Sequence, residues 1–146
     1  MIVRKFFRSL KFVLKLIIMD KKIIATGAVL GLIAIILGAF GAHALKETLD
    51  ANQLASFETG VRYEMYHAIF LLVIGSTSHV PEKAKRNIYY FVLSGVVLFS
   101  GSIYLLATRN ITGLDIRAIG MVTPIGGLLM ICAWGVLFLN IIKKKG

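Results

Sequence analysis

Ionisable residues are scarce in this chain, and one mixed acidic and basic set stands at the head of an apolar segment. The stretch FETGVRYEMYHAIFLLVIG, residues 57–75, opens with Glu58, Arg62, Glu64 and His67 and then turns continuously apolar. Glu58 and Arg62 stand four apart, in the order that favours a helical ion pair. Arg62 and Tyr66 share one helix face, and Tyr63 and His67 share another. Two further segments bring polar groups to the same side of a membrane: GAFGAHALKETL carries His43, and RNITGLDIRAIG carries Arg109, Asp115 and Arg117. The candidate polar site is therefore His43, Glu58, Arg62, Tyr66, His67 and Arg117.

Ionisable groups at membrane depth are costly, and they often mark pathways or ligand sites. A simpler reading stands beside that one. Glu58 and Arg62 neutralise each other to fix the loop on the bundle, and the tyrosines sit in the interfacial belt. For His67, one turn deeper, a buried hydrogen-bonded ring is expected before a proton relay. His79, beside Pro81, is expected at the opposite interface.

Other chemistry finds little support. His43 and His67 are far apart, and the neighbouring carboxylates lack a recognised ligand spacing, so no metal is expected. No nucleophile elbow, Walker loop, dinucleotide fingerprint or HExxH helix occurs, so no catalytic residue or cofactor is expected either. The single Cys132 excludes an internal disulfide and reads as a small core residue.

The elements that hold these residues follow from composition. Hydrophobic residues make up 58% and charged residues 16%, against about 25% charged in an average soluble chain. Mean hydropathy is +0.82. A soluble domain of this size could not hide so much apolar surface, so lipid must cover it. The net charge of +10 would suggest nucleic acid if the basic residues formed a patch on a soluble fold. They fall instead between long uncharged runs, so the expected partner is the bilayer and not nucleic acid.

Four runs lack Asp, Glu, Lys and Arg: residues 23–45, 65–81, 87–108 and 118–142. A helix needs about 20 residues to cross a core of roughly 30 Å, with about 17 as the lower limit. The second run reaches a comfortable length only if its helix begins inside the charged stretch. Asp50 with Gln53 resembles a capping box that would start it. Continuously apolar runs favour helices over barrel strands, which alternate, and helices satisfy their own backbone in lipid. The expected fold is an all-α integral membrane protein: four transmembrane helices, near 23–43, 62–80, 88–108 and 118–142, in a compact bundle.

Orientation follows from Lys and Arg. Arg4, Lys5, Arg8, Lys11, Lys15, Lys21, Lys22, Lys83, Lys85, Arg86, Lys143, Lys144 and Lys145 lie on one side; Lys46, Arg62, Arg109 and Arg117 lie on the other. Thirteen against four places both termini in the cytoplasm and turns residues 57–64 outward. Residues 143–146 form a basic cytoplasmic tail.

Residues 1–22 precede the first span. Arg4, Arg8, Lys11 and Lys15 fall on one side at helical spacing, opposite Val3, Phe6, Leu10, Val13, Leu14 and Ile17. A basic amphipathic helix on an anionic inner leaflet is expected. Met19 offers an alternative start, since Lys21 and Lys22 suffice to hold the first span.

Small residues mark helix contacts. Gly27, Gly31, Ala34, Gly38 and Ala42 recur every three or four positions along the first span, the pattern of close helix approach. On the fourth, Gly120, Pro124 and Gly127 suggest a notch, with a kink near Pro124. These features speak for packing before a permeation path.

At LGAFGAHALK, FETGVRYEMYHA and TPIGGLLMICAW the sequence resembles the domain of unknown function 423 family, small multi-pass bacterial inner-membrane proteins related to transmembrane protein 256-like proteins. The resemblance covers roughly residues 19–142 and leaves the first 18 outside. It implies four transmembrane helices and a plasma-membrane location, and it carries no activity, cofactor or catalytic residue. The expected role is a non-enzymatic membrane scaffold or partner subunit, assembled with another membrane protein or with its own copies. The alternative is a small-solute or proton conductor, with an intramembrane enzyme ranked behind both.

The orientation is testable. In a Cys132→Ser background, Asn52→Cys and Asn110→Cys should each react with an impermeant thiol reagent on intact spheroplasts, and Gly146→Cys should not. Labelling at position 146 alone would reverse the topology.

Overall fold

The computed structural model describes residues 2–113 and 117–143, leaving aside the side chains of residues 2–9, 11–13, 15, 16, 117 and 118. Arg117, Asp115 and the tail lysines 144 and 145 therefore lie outside the described side chains. Among the described residues the chain is helical with tight turns between helices. The helices are α1 (Ile2–Ala42), α2 (Ala51–Ser76), α3 (Glu82–Ala107), the single turn α4 (Arg109–Thr112) and α5 (Val122–Lys143). Turns of 3-10 helix cover Leu45–Glu47 and Arg117–Met121.

Local chemistry explains most boundaries. Asp50 caps α2 by accepting from the backbone N–H groups of Asn52 and Gln53, and the Gln53 side chain accepts from the Asp50 N–H in return. This reciprocal box satisfies donors that a bare helix start leaves open. α2 consequently begins well before its apolar half, as the marginal second run required. Glu82 sits in the first turn of α3, where a carboxylate complements the helix dipole. Gly113 closes α4 with a left-handed φ of 67°, a conformation that glycine adopts without strain.

α1 is longer than the expected first span. Its 41 residues run without a break through residues 2–22 and into the apolar run, so the basic stretch continues the first span as one helix. At about 1.5 Å per residue it is about 60 Å long, roughly twice the hydrocarbon thickness.

Three segments are long and apolar enough to cross a membrane: Ile17–Glu47, Glu82–Ala107 and Ile119–Lys143. α2, the expected second span, is as long as α3 but is not among them. Its charged first half lowers its hydropathy. Its placement fits that composition, because α1 packs on α2, α2 on α3, and α3 on α5. α2 and α3 thus lie in the middle. α1 and α5 flank them with outward faces of Leu32, Ile35, Ile36 and Phe40, and of Ile125, Leu128, Ile131 and Phe138. Apolar surfaces of that extent are not left in water.

The core joins all four long helices, with Ile23, Leu30, Leu71, Ile74, Ile88, Val92, Met130 and Ala133 at its centre. A smaller cluster of Leu45, Leu49, Phe57 and Ala107 closes the end near the Asp50 cap. The small-residue stripe of α1 faces α2: a Cβ on Gly27 would stand 2.9 Å from the Ala68 carbonyl oxygen, and Gly31 and Gly38 lie over Ala68 and Val61. On α5 the notch is displaced from its expected place. Gly126 packs against the α3 backbone at Phe99 and Gly95, whereas Gly127 and Gly120 have only ordinary contacts with Phe99 and Leu106. Pro124 lies in the first turn of α5, where proline is tolerated, and so it starts the helix instead of kinking it. Cys132 is half-buried and free.

A polar latch ties the other end of the bundle. Lys85 of α3 is buried and donates to Asp20 of α1 at 2.7 Å, while Asp20 keeps 34% of its side chain exposed. Lys22 lies over the rings of Tyr89 and Tyr90, 5.0 and 5.8 Å from their centroids. Thr26 donates to the Tyr89 hydroxyl at 3.4 Å.

Two stability measurements in detergent follow. Gly126→Ala should lower stability by about 1–3 kcal/mol through overpacking, while Gly127→Ala leaves the melting temperature unchanged. Asp20→Ala strands the buried Lys85 and should cost about 2–3 kcal/mol, below a fully buried pair because Asp20 is partly wet. Lys85→Met keeps the buried stem, leaves Asp20 to water, and should cost less. Equal losses at Gly126 and Gly127, or a costlier Lys85→Met, would contradict this packing.

Candidate functional site

α2 carries its polar groups on two faces. On the exposed face, Glu58 and Arg62 approach to 4.0 Å with about half of each side chain in solvent, 51% and 54%. Arg62 also donates to the Thr59 hydroxyl at 2.9 Å. The expected pair therefore exists, but it is wet and long. Tyr66 is exposed near Tyr63, with ring centroids 6.0 Å apart.

On the inward face, Glu64 and His67 are buried three residues apart. Tyr104 of α3 donates its hydroxyl to the Glu64 carboxylate at 2.6 Å. One turn away, the Ser100 hydroxyl donates to the Gly60 carbonyl at 2.8 Å. Glycine at position 60 makes this crossing possible, since a Cβ there would lie 2.7 Å from the Tyr104 ring. Ser102 and Thr123 share a 2.6 Å hydrogen bond that carries the polar seam on to α5.

The His67 ring is buried, as expected, and its Nδ1 lies 2.8 Å from the Tyr63 carbonyl oxygen. A carbonyl can only accept, so Nδ1 carries a proton. In the neutral ring Nε2 is then an acceptor, and it is a buried atom without a hydrogen-bond partner among the described residues. Tyr63 stacks on the ring and Phe70 meets it edge-on. Phe70 in turn stacks on Trp134 of α5, with centroids 4.2 Å apart.

The five predicted residues whose side chains are described do not form one pocket. Glu58 and Arg62 are brought together. Tyr66 stands beside them on the exposed side, His67 turns inward, and His43 is exposed in the turn after α1. The Arg117 side chain is outside the description. His79 is exposed and hydrogen-bonds the Thr77 hydroxyl through its ring. Among the described residues no three His, Cys, Asp or Glu gather as a metal would require.

Sequence reasoning placed Glu64 beside the site but left it out, and it missed Tyr104. One signal pointed to them. Gly60, Glu64 and His67 recur at steps of four and three, so the glycine's face is also the carboxylate's face.

Comparison with known proteins bears on all of this. The model of the family described as protein of unknown function (DUF423) matches residues 37–127, which include α2, α3 and the Glu64–Tyr104 pair. A UPF0382 membrane protein of Staphylococcus saprophyticus is 39% identical over 123 residues, 84% of this chain and 98% of its own. The UPF0382 membrane protein YwdK of Bacillus subtilis is 35% identical over 84% of this chain and 98% of its own. The UPF0382 inner membrane protein YgdD of Escherichia coli is 33% identical over 81% of this chain and 87% of its own. No solved structure matches the chain. Matched by the family model over more than half its length, and by these relatives over most of theirs, the chain belongs to the DUF423 family and is a multi-pass membrane protein.

Proposed function

We propose that this protein is a non-enzymatic structural subunit of the cytoplasmic membrane. It crosses four times, with α2 as the fourth crossing helix and both termini inside. Its partner is another membrane protein or further copies of itself, seated on the apolar faces of α1 and α5. One observation carries this reading: the buried polar groups of α2 are bonded to neighbouring helices, Glu64 to Tyr104 and the Gly60 carbonyl to Ser100. Groups so engaged hold helices in register, as expected where lipid offers no other partner.

A second reading rests on His67. Its unpartnered Nε2 lies on the same inward face as a buried carboxylate, and such pairs occur along proton and solute paths. A conductor would need these groups to change protonation, whereas a scaffold needs only their hydrogen bonds.

Glu64→Gln separates the two. The amide oxygen still accepts from Tyr104, but the side chain no longer titrates. For a scaffold, Glu64→Gln should keep its melting temperature and complement a deletion strain. Glu64→Leu, which removes the carboxylate to which Tyr104 donates, should lose about 1–3 kcal/mol. A Glu64→Gln protein that is fully stable yet fails to complement would overturn the scaffold and favour the conductor.

A further inference from the structure

We propose that the groove between α1 and α2 beside Arg62 binds one phospholipid whose headgroup carries an ammonium next to its phosphate. The inference rests on the membrane assignment and is independent of the scaffold role. The groove has a volume of about 260 Å³ and is lined by Gly38, Gly41, Phe57, Glu58, Val61 and Arg62. Its floor is apolar, and the two glycines leave room where side chains would otherwise fill the gap between the helices. Its rim holds one cation and one anion.

Charge order selects the ligand. Glu58 precedes Arg62 by one helical turn, about 6 Å along the axis. The apolar half of α2 follows Arg62, so Arg62 stands closer to the hydrocarbon and Glu58 further out. A headgroup of this class has the same order, with the phosphate next to the glycerol and the ammonium beyond it. Arg62 can meet the phosphate and Glu58 the ammonium while an acyl chain enters the groove. Their mutual contact does not prevent this: at 4.0 Å, with each side chain about half exposed, it is loose. Exposed pairs of that kind contribute little and rearrange readily. The neighbouring exposed Tyr63 and Tyr66 suit the headgroup level. An anionic lipid without an ammonium would meet Arg62 but would also set its charge near Glu58.

Native mass spectrometry of the full chain in mild detergent tests the proposal, with phosphatidylethanolamine and phosphatidylglycerol added separately in equal amounts. The wild type should retain one phosphatidylethanolamine per chain in preference to phosphatidylglycerol. Arg62→Ala should weaken retention of both lipids about ten-fold, the loss of one charge-assisted contact. Glu58→Ala should keep lipid bound but abolish the headgroup preference. The decisive variant combines Glu58→Arg with Arg62→Glu, which preserves an ion pair in the same turn but reverses its order. If the pair is only structural, this variant binds lipid as the wild type does, and the proposal fails. Equal retention of the two lipids by the wild type also overturns it. Loss of phosphatidylethanolamine from the swapped variant, with an unchanged melting temperature, supports it. The Glu64→Gln complementation result is independent of either outcome.

Discussion

In hydrocarbon, a polar side chain has no solvent to fall back on, and α2 buries two ionisable side chains, Glu64 and His67, on one face. That constraint organises the fold. A helix with Glu64 and His67 on one face is poorly suited to face lipid there, since unpaired groups of this kind are expensive at membrane depth. It must lie against a neighbour that can complement them. α3 supplies Tyr104 and Ser100 one turn apart, and Gly60 removes the side chain that would hold the two helices apart. The α2–α3 crossing is thus set by chemistry and by space at the same residues.

The rest of the layout follows from this crossing. With α2 committed to α3 on one side and to the glycine stripe of α1 on another, the apolar helices α1 and α5 take the flanks. Their broad hydrophobic faces then form the apolar outside of the bundle. The two ends of the bundle are fixed differently. Near the Asp50 cap, Phe57 and Tyr104 pack with ring centroids 4.9 Å apart beside the turn that links α1 to α2. At the far end the Asp20–Lys85 contact joins α1 directly to α3. Neither α1 nor α3 can slide along α2 without breaking one of these.

Much of this was legible in the sequence, and the parts that were not share a cause. Of the four uncharged runs, three mark segments long and apolar enough to cross a membrane, and Asp50 with Gln53 placed the start of α2, because both signals are local. The α1 stripe was legible too, since small residues at helical spacing declare a face by themselves. Pairings across helices declare nothing locally. Lys85 read as one more basic residue of a loop until Asp20, far away in sequence, was found against it. Gly126 and Gly127 are neighbours in a helix that is apolar all round, so periodicity could not say which met Gly95. Among the polar residues, Glu58 drew attention because its partner is four residues away on the same helix. The partner of Glu64 is on another helix.

Those two carboxylates show how rotation on one helix divides roles. Six residues at about 100° each turn Glu64 about 240° from Glu58. One faces a groove and solvent; the other faces Tyr104. A wet ion pair such as Glu58–Arg62 contributes about 0.5 kcal/mol, so exchanging it for a ligand contact alters stability little. The buried Glu64 has no such freedom. Removing its hydrogen bond takes from a buried carboxylate, or from Tyr104, its bond across the helix crossing. Adaptable recognition therefore belongs to the Glu58 face and fixed architecture to the Glu64 face. Glu58 and Arg62, exposed and paired along one helix, contribute little to the stability of the fold. That leaves them available to bind.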